Sequence, residues 1–350
     1  MSTLTIAVDL AKNVFEVAVA AGTGTVCERR RLTRAQYLQF WGQRAPCRVV
    51  MEACATAHFW GRFLSARGFE VVLLPPHYVK PFRRRNKTDR ADCDAILEAS
   101  RSHGIHSVAV KSQDQQAILA LHRVRAQWLA ARTARINHMR GLLREFGVVA
   151  PAGAQRFVRD VLQLLDLKCE QLPARVRRIV LSLWEETRAL ERRIEAVNQE
   201  LESVATHESV VRALCRIPGI GVLTATALFA TVGNVHAFPS GRRLASWLGL
   251  TPREFSSGSR RRLGRISKQG DAYVRMLLIH GARAALNGAR RLAKAGKPLT
   301  HLQAWALKRA EHAHSNKAVV ALANKTARIA WAVWHHERVF DGDHAVRQAA

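Results

Sequence analysis

Two aspartates, Asp89 and Asp92, lie within the most basic stretch of the chain, the segment RRRNKTDRADCDAI at residues 83–96. Their i, i+3 spacing places both carboxylates on one face of a helix, where they can share a cation. Two further acids end apolar runs that are typical of buried strands: Asp9 in IAVDLA and Glu52 in RVVMEA. A single charge is costly to bury at the inner end of a strand, so we expect the four acids to lie together.

Carboxylates gathered in one site repel one another and stay ionised together only with divalent cations, and their hard oxygen atoms suit Mg²⁺ or Mn²⁺. Two such ions, about 4 Å apart, can activate a nucleophile and stabilise the leaving oxygen in phosphodiester cleavage. A simpler interpretation is that Asp89 and Asp92 cap a helix and form ion pairs with the arginines at 83–85. For those two residues alone it is the better one, and Asp9 is what weighs against it.

The charge of the chain indicates a phosphate-rich partner. Its 350 residues carry 55 Lys and Arg against 27 Asp and Glu, a formal net charge of +28, which is unusual for an enzyme with a small-molecule substrate. The charge is spread over the whole length, and no apolar run approaches the roughly 20 residues that span a bilayer. The N-terminus lacks the pattern of a secretory signal. These features predict a cytoplasmic protein without a membrane partner. The six cysteines form no C-x-x-C pair, which argues against a zinc ribbon.

Apolar patterning predicts an α/β domain over residues 1–110. Runs at 4–9 and 14–20 predict a hairpin, and VCERRRL predicts an edge strand. The runs RVVMEA and FEVVLLPP predict buried strands on either side of a helix that ends near Gly68. Hairpin strands followed by strand and helix alternation indicate a mixed sheet covered by helices.

Helical periodicity dominates residues 111–207, where a long helix from residue 112 carries arginines on its polar face. After it, nine residues recur at alternating steps of four and three: Val176, Val180, Leu183, Thr187, Leu190, Ile194, Val197, Leu201 and Val204. This heptad seam favours a coiled coil, either between chains or against another helix of the same chain. It therefore predicts a homo-oligomer, a dimer or a tetramer. The alternative is one amphipathic helix packed on a globular core.

The remaining residues, 208–350, predict a mostly helical domain. The sequence PGIG at 218–221 lies between two apolar helical stretches, as in a helix-hairpin-helix turn whose glycines let backbone N–H groups approach a phosphate. A tight turn between packed helices explains these residues nearly as well. Farther along, FSSGSRRR offers three serines, although such a segment on its own is usually a flexible polar loop.

Long motifs in this chain resemble a known family. They are IAVDLAKNVFEVAV, VVMEACATAHFW, PPHYVKPFRRRNKTDRADCDAI, IPGIGVLTATALFATVGNVHAFPSGRRLASWLGLTPREFSSGSRRRLGRISKQGDAYVRMLLIHGARAAL and ALANKTARIAWAV. They resemble the DEDD-type transposases of bacterial insertion sequences, which are relatives of the Piv/MooV DNA invertases. The resemblance spans nearly the whole chain and is weakest between residues 150 and 207.

The resemblance implies an N-terminal RuvC-like domain of RNase H fold, with Asp9, Glu52, Asp89 and Asp92 as its D-E-D-D metal ligands. It implies a C-terminal domain whose serine attacks DNA and forms a covalent phosphoserine link. It also implies a structured non-coding bridge RNA, encoded by the element, that pairs with both donor and target DNA. The acids of one protomer would face the serine of another. The expected partners are double-stranded donor and target DNA, this RNA and further copies of the chain, at the nucleoid of a bacterial cytoplasm.

The family pattern keeps the serine directly before a glycine, which favours Ser257 over Ser256 and Ser259. A serine hydroxyl is a poor nucleophile until its proton affinity is lowered, and a pentavalent phosphate needs positive charge beside it. A nearby metal and the arginines at 260–262 can supply both.

Thirteen basic residues are predicted to contact nucleic acid: Arg83, Arg84, Arg85, Lys87, Arg123, Arg125, Arg132, Arg135, Arg140, Arg260, Arg261, Arg262 and Lys268.

Two rival interpretations of the function use only part of these observations. One is a RuvC-like, metal-dependent nuclease or resolvase with water as its nucleophile. The other is a nucleic-acid-binding protein without catalysis, for which the acids would be dispensable.

Overall fold

A computed structural model describes residues 4–22, 24–83, 88–168 and 170–343 of the chain. The chain divides into two compact units. The first comprises residues 1–115 together with 232–237, and the second comprises residues 116–231 and 238–350. The second boundary of the three-part division expected from the sequence, at residue 207, lies inside the second unit.

The first unit contains five strands and four α-helices among its described residues, together with a 3₁₀ turn at Lys80–Phe82. In chain order they are β1 (Thr5–Leu10), β2 (Val14–Ala20), β3 (Val26–Thr33), α1 (Arg34–Gly42), β4 (Arg48–Glu52), α2 (Ala57–Ser65), β5 (Glu70–Leu74), α3 (Pro76–Val79) and α4 (Asp89–Ala99). The strands form one sheet in the order β3-β2-β1-β4-β5. The strands β1, β2 and β3 pair antiparallel, whereas β4 is parallel to both β1 and β5. The predicted hairpin, edge strand and buried strands are confirmed, and the mixed sheet is consistent with a RuvC-like domain.

Side chains alternate along these strands and so build two apolar layers, one on each face of the sheet. On one face, Ile6 and Val8 of β1 pack with Trp41 of α1 and Trp60 of α2. On the other face, Ala7 of β1 packs in a separate layer that includes Ala18 of β2 and residues of α4. Small side chains at these positions let α4 lie close to the sheet. We call this second side the α4 face.

The second unit is mainly helical. The elements that follow α4 are α5 (Gln113–Glu145), α6 (Ala154–Leu167), α7 (Ala174–His207), α8 (Ser209–Leu214), α9 (Val222–Val232), a 3₁₀ turn (Val235–Ala237), α10 (Gly241–Trp247), β6 (Pro252–Glu254), β7 (Leu263–Ile266), α11 (Ala272–Lys294), α12 (His301–Glu311) and α13 (Ser315–His335). Of these, the 3₁₀ turn belongs to the first unit. The long arginine-bearing helix expected from residue 112 is confirmed as α5. No helix in the described ranges combines the length and the apolarity that crossing a membrane requires.

The heptad seam lies on α7 and packs against other helices of the same chain. Near one end, Val180 joins a buried cluster with Met139 of α5 and Phe157 of α6. Near the other end, Leu201 packs with Ile118 of α5. The polar interruption, Thr187, is fully buried, and its hydroxyl donates to a carbonyl oxygen one turn back at 2.7 Å. Of the two arrangements that the heptads predict, the structure contains the one within the chain.

The PGIG turn joins α8 to α9 and packs backbone against backbone on α11. Gly219 has a φ of +88°, which few residues other than glycine adopt. A Cβ atom added to Gly281 of α11 would lie 1.8 Å from the carbonyl oxygen of Gly219. The glycines here thus permit close helix packing, as the tight-turn interpretation proposes.

A buried histidine connects three helices of the second unit. His122 of α5 is 2% exposed. Its Nε2 lies 3.0 Å from the hydroxyl oxygen of Thr226 on α9, and its Nδ1 lies 3.1 Å from the hydroxyl oxygen of Tyr273 on α11. The Thr226 hydroxyl donates to the carbonyl oxygen of Val222 at 2.6 Å, so it accepts from Nε2–H. Nδ1 then accepts from Tyr273, and the ring is neutral.

Candidate active site

Asp9 and Glu52 lie at the carboxyl ends of adjacent parallel strands. The register between β1 and β4 pairs Val8 with Met51, so the two acids follow one residue later on each strand. Asp9 alternates with Val8 and Glu52 with Met51, and both apolar residues belong to the layer on the opposite face. Both carboxylates therefore lie on the α4 face.

Two cysteine thiols lie within the electric field of these acids. Burial raises the pKa of the Cys54 thiol, and the negative charges of both Glu52 and Asp9 raise it further. Burial also raises the pKa of the Cys93 thiol on α4, and the charge of Asp9 again adds to this effect. The Cys93 thiol donates to the carbonyl oxygen of Glu16 at 3.1 Å. The charges of Asp9 and Glu52 thus act on the same thiol, and Asp9 lies near α4.

The other two acids of the predicted quartet are on α4, but different arginines pair with them. Asp92 is 7% exposed and forms an ion pair with Arg83. Asp89 is more than half exposed and lies 3.8 Å from a guanidinium nitrogen of Arg31 on β3. The N-cap of α4 is Thr88, whose hydroxyl accepts from the backbone N–H of Ala91 at 3.2 Å. The alternative interpretation, ion pairing with the 83–85 arginines, therefore applies to Asp92.

The serines lie on a hairpin formed by β6 and β7, which we call the serine hairpin (residues 252–268). Ser257 begins a tight turn, because its N–H and C=O exchange hydrogen bonds with Arg260 at 3.3 and 3.1 Å. Gly258 follows with a φ of +55°. The Ser256 hydroxyl donates to a carboxylate oxygen of Glu254 at 2.7 Å and accepts from the backbone N–H of Arg262 at 3.1 Å. Ser256 therefore helps to hold the hairpin together, and Ser257 lies at its tip.

The base of the serine hairpin is fixed by close backbone contacts. A Cβ atom added to Gly249 would lie 2.2 Å from the carbonyl oxygen of Gln269, and one added to Gly270 would lie 2.0 Å from that of Trp247. The guanidinium of Arg275, which is 9% exposed, donates to the Gln269 carbonyl at 2.7 Å. The base is therefore well defined although residues 252–265 are exposed.

The hairpin is strongly basic. It carries six basic residues, Arg253, Arg260, Arg261, Arg262, Arg265 and Lys268, against the single acid Glu254. One of these arginines, Arg261, lies 3.4 Å from the Glu254 carboxylate. The side chains of Arg260, Arg261, Arg262 and Lys268, all predicted to contact nucleic acid, are exposed. The hairpin thus presents three serines, Ser256, Ser257 and Ser259, within a positively charged surface.

The predicted arginines of α5 are mostly engaged within the second unit. The Arg132 guanidinium donates twice to the Glu191 carboxylate on α7, at 2.7 and 2.9 Å. The remaining engaged arginines each donate to a protein oxygen at 2.7 to 2.9 Å: Arg125 to Asn198, Arg135 to Glu186 and Arg140 to the carbonyls of Pro151 and Gly153. Arg123 is exposed. Arg84, Arg85 and Lys87 lie outside the described residues.

Comparison with known proteins decides the family. A DEDD transposase model of the IS110 group matches residues 6–148, and the model described as Transposase IS116/IS110/IS902 family matches residues 211–296. The chain is 39% identical to a probable family 20 transposase of Pseudomonas aeruginosa over 96% of its own length and 98% of that protein's. It is 37% identical to the transposase for insertion sequence element IS1111A of Coxiella burnetii, over 95% and 90% of the two lengths. The chain belongs to the IS116/IS110/IS902 transposase family. It is a DEDD-type insertion-sequence transposase, an enzyme that cleaves and recombines DNA.

The DEDD domain of the transposase suggests a divalent metal, and its donors suit one. Asp9 and Glu52 offer hard oxygen ligands on one face, and α4, which covers that face, carries Asp92. Within the described ranges, however, no three His, Cys, Asp or Glu side chains are close enough together to hold an ion, and the Asp92 carboxylate contacts Arg83. A metal bound by the quartet would therefore require Asp92 to exchange the guanidinium for the cation.

Several residues at these sites were not anticipated from the sequence. Glu16 lies directly opposite Asp9 in the hairpin register and shares the α4 face with Ala18. The predicted hairpin implies this register, so the position of Glu16 opposite Asp9 could have been inferred from the sequence. Glu254 is the single acid in the serine hairpin, and this too can be read from the sequence. Arg275 donates to the carbonyl oxygens of Leu248 and Gln269, at 3.1 and 2.7 Å, and we identify no sequence signal for these two contacts.

Proposed function

We propose that this transposase cleaves and rejoins DNA through a covalent phosphoserine intermediate, guided by a structured RNA. The observation that carries the proposal is the serine hairpin, which presents Ser257 at an exposed tight turn among six basic residues. Positive charge beside the hydroxyl stabilises the additional negative charge of a pentavalent phosphate. The RNA guide, the phosphoserine and the cytoplasmic location are supported by the family resemblance, and the charge of +28 supports a polyanionic partner.

In the proposed cleavage step, the Ser257 oxygen attacks a DNA phosphorus atom. The Oγ–P bond forms, one P–O bond to a sugar oxygen breaks, and the hydroxyl proton passes to a base while the released sugar oxygen gains a proton. In strand exchange, a free sugar hydroxyl attacks the phosphoserine and regenerates the serine. The number of phosphodiester bonds is conserved, so no external energy source is needed.

The acids have a separate role in this proposal. Asp9, Glu52, Asp89 and Asp92 would hold Mg²⁺ or Mn²⁺, which stabilises charge on the reacting phosphate and lowers the pKa of the attacking group when it is bound. The chain's own contribution is the placement of Asp9 and Glu52 on neighbouring strand ends, and the release of Asp92 from Arg83.

Ser256 is the alternative nucleophile, because its hydroxyl already donates to the Glu254 carboxylate. A carboxylate in that position can accept the proton of an attacking serine. We favour Ser257 because the Ser256 hydroxyl also accepts a hydrogen bond that closes the hairpin.

The test is to trap the covalent adduct on a radiolabelled DNA that carries both ends of the element, with the cognate RNA and Mg²⁺. Ser257→Ala is expected to abolish the SDS-resistant adduct, whereas Ser259→Ala, two positions along the same turn, is expected to retain it. Loss in Ser256→Ala but not in Ser257→Ala would transfer the role to Ser256. Undiminished cleavage without adduct in both variants would indicate water as the nucleophile, as in a RuvC-like nuclease.

The RNA guide and the oligomeric state require their own experiments. Sequencing of RNA that copurifies with the transposase, expressed with its flanking element, should yield one structured species. For a homo-oligomer with composite sites, mixed oligomers of Asp9→Ala and Ser257→Ala chains should recover cleavage that neither variant shows alone. Because the heptad seam packs within the chain, other surfaces would have to hold the protomers together.

A further inference from the structure

The second unit contains a large groove, and of the predicted nucleic-acid contacts only Lys268 is among the described residues that line it. Its volume is about 1630 Å³, well above the 300–1,000 Å³ that is typical of pockets for small molecules. The lining comes from β7 with the residues beside it, from Trp305 and Arg309 of α12, and from one side of α13. It therefore combines segments that lie far apart in sequence.

The charge of the groove is of one sign. Among the described residues that line it, six are basic and none is acidic; the basic residues are Arg265, Lys268, Arg309, Lys317, Lys325 and Arg328. Like charges on a concave surface repel one another, and the concave shape concentrates their field. An anion with several charges along its length would relieve this repulsion.

Lys325 is the least exposed of these basic residues. It is partly buried, and its Nζ lies 4.2 Å from the centre of the Trp305 ring. Burial lowers the pKa of Lys325, and the neighbouring charge of Arg328 lowers it further. A phosphate at this position would offset both effects, and the Trp305 ring offers a surface on which a base can stack.

The groove is continuous with the serine hairpin. Leu263 and Ile266 of β7 line the groove, and β7 is also the strand that leads away from the serine turn. Next to Lys325, Asn324 donates from its Nδ2 to the carbonyl oxygen of Leu250 at 3.1 Å, which ties α13 to the segment that enters β6. A strand lying in the groove would therefore run along the hairpin that carries Ser257.

We propose that this groove binds the sugar-phosphate backbone of the DNA strand that the serine hairpin attacks, with Lys325 and Arg328 on its phosphates. The proposal rests on the proposed function, because the position of Ser257 is the reason to assign DNA rather than RNA to the groove. It also gives a role to the motif ALANKTARIAWAV, in which a polar Asn-Lys pair interrupts an apolar helix.

The test measures binding of the full-length Ser257→Ala chain, which cannot react, to a fluorescent single-stranded DNA at several salt concentrations. Each lost phosphate contact should reduce the slope of log K against log salt by about 0.7, which at 0.1 M salt corresponds to about fivefold weaker binding. Lys325→Gln should show one such loss and the double variant with Arg328→Gln two. Lys325→Arg should bind normally. Lys308→Gln, a single charge removed from α12 outside the groove lining, is the matched control.

Several outcomes would overturn the proposal. If Lys325→Gln binds DNA with the same slope of log K against log salt as Lys308→Gln, the groove is not part of the DNA-binding surface. If the same variants lose affinity for an RNA of equal sequence but keep their affinity for DNA, the groove binds RNA and the assignment is wrong. Thermal unfolding of each variant checks that its fold is intact. A failure of the proposed function can be distinguished from a failure of the groove proposal. If wild-type chains formed no serine adduct, the proposed function would be wrong, but the groove variants would still lose affinity for DNA.

Discussion

Replacement of His122 gives a quantitative test of the packing in the second unit. The folded protein holds this ring neutral, because burial and then the charge of Arg125 lower its pKa from 6.5 to about 4, against a smaller opposing effect of Asp271. The unfolded chain has no such constraint. Between these two pKa values the unfolded state binds a proton that the folded state does not. The contribution of His122 to the free energy of unfolding is therefore greatest above pH 6.5 and falls as the pH decreases toward 4.

The magnitude follows from the two pKa values. Between pH 7.5 and 5.5 the unfolded state takes up almost one proton at this residue. This uptake lowers the free energy of unfolding by about 1.3 kcal/mol. His122→Gln keeps one donor and one acceptor but does not titrate. The wild type should therefore lose about 1.3 kcal/mol more than this variant over the same interval.

The assay is urea unfolding at both pH values, followed by circular dichroism. Replacement of His138, which is exposed on the same helix, by Gln serves as a control for the loss of a histidine without a change in the buried network. Equal pH dependence of the wild type and His122→Gln would refute the inference that the buried ring is neutral because of its environment.

Three further predictions concern residues described above. Gly281→Ala places a methyl group against the PGIG backbone and should cost about 3 kcal/mol, whereas Gly288→Ala on the same helix, which meets nothing within 4 Å, should stabilise by about 0.5 kcal/mol; thermal unfolding of the pair measures both. Arg83→Ala leaves Asp92 without this partner and should destabilise the first unit by about 3 kcal/mol, and Mn²⁺ should raise its melting temperature more than that of the wild type. An equal effect of Mn²⁺ would show that the arginine does not compete with the metal. Arg275→Met should increase tryptic cleavage of the serine hairpin, and an unchanged cleavage rate would contradict its anchoring role.

Local patterns predicted much of the first unit. Alternation identified the strands, and the cost of burying a single charge led to the expectation that Asp9 and Glu52 lie together, but their shared face was found only from the register of β1 and β4. The ion pair of Asp92 was anticipated as an alternative, but the choice between Arg83 and a metal depends on the positions of both groups in space. The sequence could not provide these positions.

The second unit shows why long-range partners are harder to infer. Heptads identified α7 as a helix with an apolar seam, but they could not identify the helices that cover it, since an apolar surface has no directional preference. The arginines of α5 were expected to contact nucleic acid from their charge alone. In the structure, four of them donate to oxygen atoms of the protein, such as those of Glu191 and Asn198 on α7, two helices farther along the chain. The groove beside β7 also combines residues from segments that lie far apart in the sequence, and the sequence does not show that these segments meet.

The coverage of α7 by α5 and α6 affects how a newly synthesised chain folds. A helix whose apolar side is covered by helices of the same chain does not need a second copy in order to bury that side, so this part of the fold can form independently of the protein concentration.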